Sequence, residues 1–268
     1  MIGAVIGDIV GSVYEFDNIK SKDFPLYSDE STFTDDTVCT LAIAESILDG
    51  TDVVASLQKW CRKYWKMSYG NGFMSWIRSP NPEPYGSWGN GAAMRVSAAG
   101  FLSPTIEYSR QLATKVTEIT HNHPEGIKGA LATADAIFLA FSSWTPDEIR
   151  QHISGTYGYD LNRTVDEIRP TYHFNETCQE TVPEAIICAL EATDFEDAIR
   201  NAISIGGDSD TVAAIAGAIA EARFHVELTE ELCAPAVARL PDDLRMVLKR
   251  IYDERHKHTG CSRPAWYL

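Results

Sequence analysis

An all-α fold is what this 268-residue sequence predicts, on three observations. Period-2 alternation bounded by turn residues, the mark of a half-buried strand, is absent along the chain. Apolar residues recur instead at helical spacing, in one segment after another. The run Val212–Ala220 is apolar on every side and built mainly from small residues, and a helix without a polar face belongs in the middle of a protein.

Taken in order, Met1–Tyr14 reads as a helix in which Gly3, Gly7 and Gly11 form one row, a surface that another helix can approach closely. The row is not a dinucleotide fingerprint, which needs G-x-G-x-x-G after a strand. Asp8 reads as a hydrogen-bond anchor on this apolar helix. Glu15, about two turns further on, reads as part of a site where the chain leaves the core. Thr34-Asp35-Asp36-Thr37 opens a second apolar helix, Val38–Leu48, which Asp49-Gly50 stops. Val53, Val54, Leu57, Trp60, Cys61, Tyr64 and Trp65 keep the helical period, with basic residues on the other sides. That segment is an amphipathic surface helix whose aromatics belong to the core.

Ser79–Gly86 is a loop, with prolines at 80, 82 and 84. Glycines at 86, 89 and 91 then bare the backbone ahead of a small-residue helix running to about Ala99. Exposed N–H groups at a helix mouth form an anion cradle. Thr120-His121-Asn122-His123-Pro124 separates two helices. H-x-H without a third nitrogen or sulfur ligand is a poor zinc motif, so His121 is either a partner for a phosphate or ribose or part of a solvated turn. Glu125–Phe141 is an alanine-rich helix, and Thr145-Pro146 starts another with proline in its first turn. Thr181-Val182-Pro183-Glu184 reads the same way, as the start of a helix over Ala185–Leu190. Phe195–Ile205 leads into Gly206-Gly207, and Glu230–Arg255 carries the closing polar-faced helices.

No charge run, repeat or Ser/Gly-rich linker divides the chain, so residues 1–268 are expected to be one domain. The net charge of −15 excludes nucleic acid as a bulk partner, because phosphate binding needs clustered Lys and Arg. Cysteines at 39, 61, 178, 188, 233 and 261 form no C-x-x-C pair, and several fall in apolar runs. Buried thiols in a reducing cytoplasm are the expectation. The first residues carry Asp8 and Glu15 and lack a basic stretch, unlike a signal peptide. Nothing approaches a membrane span, and no long exposed apolar helix demands a partner, so a monomer is expected.

Chemistry concentrates at two helix mouths. Asp208, Asp210 and Thr211 stand at the start of the helix that is apolar all round, and Thr34, Asp35, Asp36 and Thr37 open the second apolar helix. Free N–H groups and the dipole at a helix start favour a charge by roughly 0.3–1 kcal/mol each, about 2 when partly buried. Adjacent buried carboxylates cost several kcal/mol more than that. Read singly, each mouth is equally well a set of ordinary N-caps. Read together, they carry more acids and hydroxyls than capping uses, all of them hard oxygen donors that select Mg²⁺, Mn²⁺ or Ca²⁺ over zinc. The inference is a site between two helix mouths for one divalent cation, or two a few ångströms apart.

Five motifs occur in sequence order: the G-D-x-x-G-S-x-Y-E-F ending of Met1–Phe16, Phe33-Thr34-Asp35-Asp36-Thr37, Gly89-Asn90-Gly91-Ala92-Ala93-Met94-Arg95, Thr120–Pro124, and Gly206-Gly207-Asp208-Ser209-Asp210-Thr211. In this order they resemble the ADP-ribosylglycohydrolase family, over most of the chain to about residue 225. The resemblance implies a roughly orthogonal all-α bundle with a dinuclear magnesium, or manganese, centre. It implies Thr34, Asp35 and Asp36 as one ligand set and Asp208, Asp210 and Thr211 as the other, with Asp210 bridging. Glu15 matches a catalytic glutamate, acting beside Asp36 and Asp210. Gly86, Ser87, Trp88, Gly89 and Asn90 match the loop holding the diphosphate and distal ribose, with His121 close by; Trp88 replaces a tyrosine of some relatives. Thr177–Pro183 resembles the stretch flanking the adenosine end. The implied reaction releases ADP-ribose from a modified protein side chain, arginine-linked first; the alternative is the same chemistry on a small ADP-ribose conjugate or another N- or O-glycoside. A non-catalytic ADP-ribose-binding or structural member of the family is the third possibility.

Overall fold

The computed structural model describes residues 1–225 and 228–259, and in these every element is helical. In chain order they are α1 (Ile2–Gly11), α2 (Asp35–Asp49), α3 (Val53–Lys63), α4 (Asn71–Arg78), α5 (Gly91–Met94), α6 (Ser97–Leu102), α7 (Ile106–Thr117) and α8 (Pro124–Phe141). Then follow α9 (Pro146–Tyr157), α10 (Val165–Ile168), α11 (Cys178–Glu191), α12 (Phe195–Ser204), α13 (Ser209–Phe224), α14 (Glu230–Arg239) and α15 (Asp242–Thr259). Among the described residues the nearest thing to a sheet is an isolated antiparallel bridge between Gly89 and Thr177. No described helix is long and apolar enough to cross a membrane.

The centre is α13, buried along its length from Ser209 to Ala222. Around it pack α1, α8, α11 and α12. Every residue of α1 is buried as well, and the glycine row explains how two helices come so close. A Cβ on Gly3 would lie 2.2 Å from the Gly217 carbonyl oxygen, and one on Gly7 2.0 Å from that of Ala213. One on Gly11 would lie 2.4 Å from the Asp210 Cα. The contacts run in opposite directions along the two chains, so α1 and α13 are antiparallel. The end of α1 therefore arrives at the mouth of α13.

Three expectations about element ends are corrected. The first helix stops at Gly11, not Tyr14: Tyr14 N–H turns back to the Gly11 carbonyl (2.8 Å), and Glu15 stands on the turn beyond. The helix expected from the glycine loop to Ala99 is broken into α5 and α6 at Arg95-Val96. Arg95 leaves helical geometry there, and its buried guanidinium lies 5.4 Å from the Phe73 ring centroid. Pro183 does not start its helix; α11 begins at Cys178 and carries Pro183 inside it. The extra turn is anchored from outside, since the Cys178 N–H donates to the Trp88 carbonyl (3.0 Å). The expected stop at Gly50 is present, with a left-handed φ of 62°. The five cysteines among the described residues are buried and unbridged; Cys261 lies outside the described residues.

Candidate metal and ligand site

The turn into α13 is made by Gly206 and Gly207, both at positive φ (70° and 82°), a conformation that disfavours side chains. Asn18 clamps this turn to the one carrying Glu15. Its Oδ1 accepts from the Gly207 N–H (2.7 Å), while its Nδ2 donates to the carbonyls of Gly207 (2.9 Å), Tyr14 (2.7 Å) and Glu15 (3.0 Å). The α1–α13 contact and this clamp together set Glu15 beside Asp208 and Asp210.

On the other side, Asp8 ties α1 to the mouth of α2. Its carboxylate accepts from the Thr34 N–H (2.9 Å) and hydroxyl (2.7 Å), and from the Thr37 N–H (3.1 Å) and hydroxyl. Thr34 is also the N-cap of α2, its oxygen accepting from the Asp36 N–H (3.2 Å). Asp208 occupies the N-cap position of α13 but makes no side-chain cap bond; it accepts from the Asn90 amide instead (2.7 Å). Thr211 donates to the Asp36 carboxylate (3.1 Å). Asp208 is thus not spent on closing its own helix, whereas Asp210 accepts from the Thr211 N–H in the first turn of α13 (2.9 Å).

Carboxylate oxygens converge in two groups, Asp8 with Asp36 and Asp210, and Glu15 with Asp208 and Asp210, each within 4.8 Å. Asp210 belongs to both. Asp36 and Asp210 are each 3% exposed. Burial first, and then neighbouring carboxylates, push the carboxyls of Asp36 and Asp210 well above the usual range. The same causes push Asp35 up to about 7 and Glu15 up to about 8. Asp208 rises to about 6, burial outweighing its bond from Asn90. Hard oxygen donors in this density fit a divalent cation of the magnesium or manganese kind.

A pH dependence follows from the sign of these shifts. Each carboxyl binds its proton more tightly in the folded chain than in the unfolded one, where it titrates near pH 4. The folded state therefore holds more protons between about pH 4 and the raised values, and stability falls as pH rises through that window. Metal-free protein is expected to melt at a lower temperature at pH 8 than at pH 6. Added Mg²⁺ or Mn²⁺ is expected to raise the midpoint, and more at pH 8, because cations bind the ionised carboxylates. Thermal melts with EDTA or with metal at the two pH values check this.

The acids floor an open cleft of about 230 Å³. Of the loop residues singled out by sequence, Ser87, Gly89 and Asn90 line it, as does His121. Gly86 and Trp88 instead wall an adjoining groove with Phe174 and Thr177. The bare-backbone cradle is largely spent internally. The N–H groups of Gly86, Ser87, Gly89 and Asn90 donate to Asn122 Oδ1, the Thr120 carbonyl, Ser87 Oγ and the Glu176 carbonyl. His121 is no solvated turn residue: it is buried, with Nδ1 2.7 Å from the Thr120 hydroxyl. Burial and the nearby Arg95 hold its pKa well below 6.5, so the ring is neutral and either nitrogen's role is set by its neighbours.

Several lining residues are not marked as site residues by the sequence, among them Asn71, Phe73, Tyr85 and Glu176, and also Arg95, which the sequence shows only as the end of a motif. Glu176 arrives because its carbonyl pairs with Asn90 N–H (2.7 Å), an irregular pairing with no sequence signature. Asp8 joins the metal-capable group through the two threonines of the T-D-D-T segment, a spacing the sequence does display.

An all-α protein whose opposed helix mouths gather buried carboxylates under an open polar cleft falls in the class of proteins equipped to hold a divalent cation through oxygen ligands. The comparisons narrow that class. The family model for ADP-ribosylglycohydrolase matches residues 1–258, and the chain belongs to that family, whose members hydrolyse glycosidic bonds. ADP-ribosylhydrolase ARH3 from Mus musculus is 27% identical over 86% of this chain and 84% of its own length. ADP-ribosylarginine hydrolase Tri1 from Pseudomonas putida is 25% identical over 84% of this chain and 70% of its own. A solved structure described as an ADP-ribosylglycohydrolase-related protein complex superposes with a TM-score of 0.70 at 20% identity, covering 95% of both chains.

Proposed function

We propose that this hydrolase removes ADP-ribose from a modified protein side chain, with arginine-linked ADP-ribose as the first substrate to test. The observation that carries the reading is the sharing of Asp210 between two carboxylate groups, one with Asp8 and with Asp36 of the α2 mouth, the other with Glu15 and Asp208. In this reading Asp36, Asp208 and Asp210, with Thr34, Asp35 and Thr211, hold two divalent cations, Mg²⁺ by preference and Mn²⁺ as a substitute. Bound there, the cations supply positive charge that offsets the acids, engages ribose hydroxyls and acidifies nearby water.

The chain's own groups do the rest. Ser87, Gly89, Asn90 and His121 orient the distal ribose and diphosphate, with Gly86 and Trp88 on the side leading to the adenosine end. The anomeric carbon passes through an oxocarbenium-like transition state, and the surrounding carboxylates favour its developing positive charge. Glu15 takes the proton from the attacking water as its oxygen bonds to the anomeric carbon. The bond to the side-chain atom breaks, that atom leaves with the electron pair, and Glu15 returns a proton to it.

The test is a panel of arginine-, serine- and cysteine-linked ADP-ribosyl peptides and a small conjugate, with metal or EDTA. Release of ADP-ribose from a peptide, stopped by EDTA, is expected. Turnover of the small conjugate alone would move the substrate off proteins. Tight ADP-ribose binding without turnover of anything would make the chain a binding protein.

A further inference from the structure

Arg95 carries a cost that the hydrolytic scheme does not explain. Its guanidinium is 1% exposed, and among the described residues it has no carboxylate partner. A buried cation without a counter-ion is destabilising. What Arg95 does meet is a pair of groups at the cleft wall. Its Nη2 donates to the Thr120 hydroxyl oxygen and stands 3.4 Å from His121 Nδ1. The Thr120 hydroxyl is itself 2.7 Å from that same Nδ1.

The direction of each bond follows from what the groups can give. A guanidinium has donors alone. With one lone pair of the Thr120 hydroxyl taken by Arg95, the hydroxyl proton needs an acceptor, and among the described residues Nδ1 is the one in reach. Nδ1 therefore faces two donors and accepts, which leaves the proton of the neutral ring on Nε2. Burial and the Arg95 charge also keep the ring from taking a second proton. Nε2 makes no hydrogen bond among the described residues. A Cβ on Gly91 would lie 3.3 Å from it and one on Gly89 3.7 Å. Both glycines line the cleft with His121, so the space before Nε2 is kept clear of side chains.

Resting on the hydrolase reading above, we propose that Arg95 and Thr120 are positioning residues that fix His121 as its Nε2–H tautomer, a neutral donor to an oxygen of bound ADP-ribose. Phosphate oxygens only accept, and a donor set before the ligand arrives has no ordering left to do on binding. Thr120→Val is expected to weaken ADP-ribose binding by roughly tenfold, the size of one hydrogen bond together with the partner left unpaired. Thr120→Ser keeps the hydroxyl and is expected to restore it. The Thr120 backbone is held independently, its N–H donating to the Thr117 carbonyl (3.2 Å). Arg95→Met removes a buried charge that has no counter-ion, so that variant is expected to fold.

The experiment records two-bond proton–nitrogen spectra of histidine-labelled wild type, Thr120→Val, Thr120→Ser and Arg95→Met, with the His121 signals assigned by their loss in His121→Gln. Affinity for free ADP-ribose is measured by calorimetry on the same proteins and on His121→Asn. The proposal expects an Nε2–H ring in wild type and Thr120→Ser, and a proton shared with Nδ1 in Arg95→Met, where the hydroxyl is free to accept. It expects His121→Gln, whose amide reaches the Nε2 position, to bind roughly tenfold more tightly than His121→Asn, whose amide reaches Nδ1. A wild-type ring protonated at Nδ1 or at both nitrogens, a spectrum unmoved in Arg95→Met, equal losses in Thr120→Val and Thr120→Ser, or glutamine no better than asparagine would overturn the relay and leave the hydrolase reading standing. A wild type without affinity for ADP-ribose overturns the hydrolase reading, and the donor's target with it.

Discussion

Replacing Asp210 by alanine is expected to abolish divalent-cation uptake and ADP-ribose release together. Its carboxylate is the member common to both acid groups, and it sits 3% exposed in the first turn of the central helix. Loss of partners one layer outside a metal costs 10–100-fold, so loss of a shared ligand should exceed about 100-fold in turnover. Unfolding is a separable outcome. In metal-free protein the Asp210 carboxyl is already pushed well up by burial and by Asp208. Asp210→Asn keeps the shape and removes that repulsion, so its metal-free melting temperature should equal or exceed that of wild type. The rise that wild type shows on adding metal should vanish. Near-wild-type release of ADP-ribose by Asp210→Ala would exclude the proposed ligand arrangement.

Glu15→Gln should divide binding from turnover. The turn that carries Glu15 is held by its backbone, through the bond from Asn18 to the Glu15 carbonyl (3.0 Å), and not through its carboxyl. Exchanging carboxyl for amide therefore leaves the turn in place. ADP-ribose affinity measured by calorimetry should change little, while kcat falls by roughly 10²–10⁴, the usual worth of a positioned acid–base group. The limb of the pH–rate profile belonging to this carboxyl should disappear in the same variant. Loss of ADP-ribose binding with kcat retained would make Glu15 a structural acid.

How far the sequence speaks depends on how local each cause is. The central helix and its acid mouth are legible because an all-apolar run followed back to Asp208 and Asp210 leaves few places for it but the core. The stop at Gly50 is legible because one residue's left-handed conformation decides it. The α1–α13 contact is half legible: the glycine row announces a close neighbour but not which one. The end of α1, the break at Arg95 and the early start of α11 are not legible. Each is decided by a partner distant in sequence, respectively Asp210 against Gly11, Phe73 and Thr120 around Arg95, and the Trp88 carbonyl above Cys178. Propensity yields to such tertiary contacts. The short α4 lacks the length that periodicity needs, so the Phe73 wall of the cleft goes unread. Glycine-rich loops advertise bare N–H groups, but whether those groups are spent internally is known only once Asn122, Thr120 and Glu176 are in place.

The central claim is electrostatic: the carboxylates at the two helix mouths lie together because divalent cations sit between them. Anomalous diffraction from crystals of the protein grown with MnCl₂ tests it most directly. The account predicts manganese peaks within ligand distance, about 2.0–2.3 Å, of oxygens from Asp36, Asp208 and Asp210. An acid cleft without an anomalous peak at saturating manganese, its carboxylates protonated or turned to cap their own helices, would contradict it.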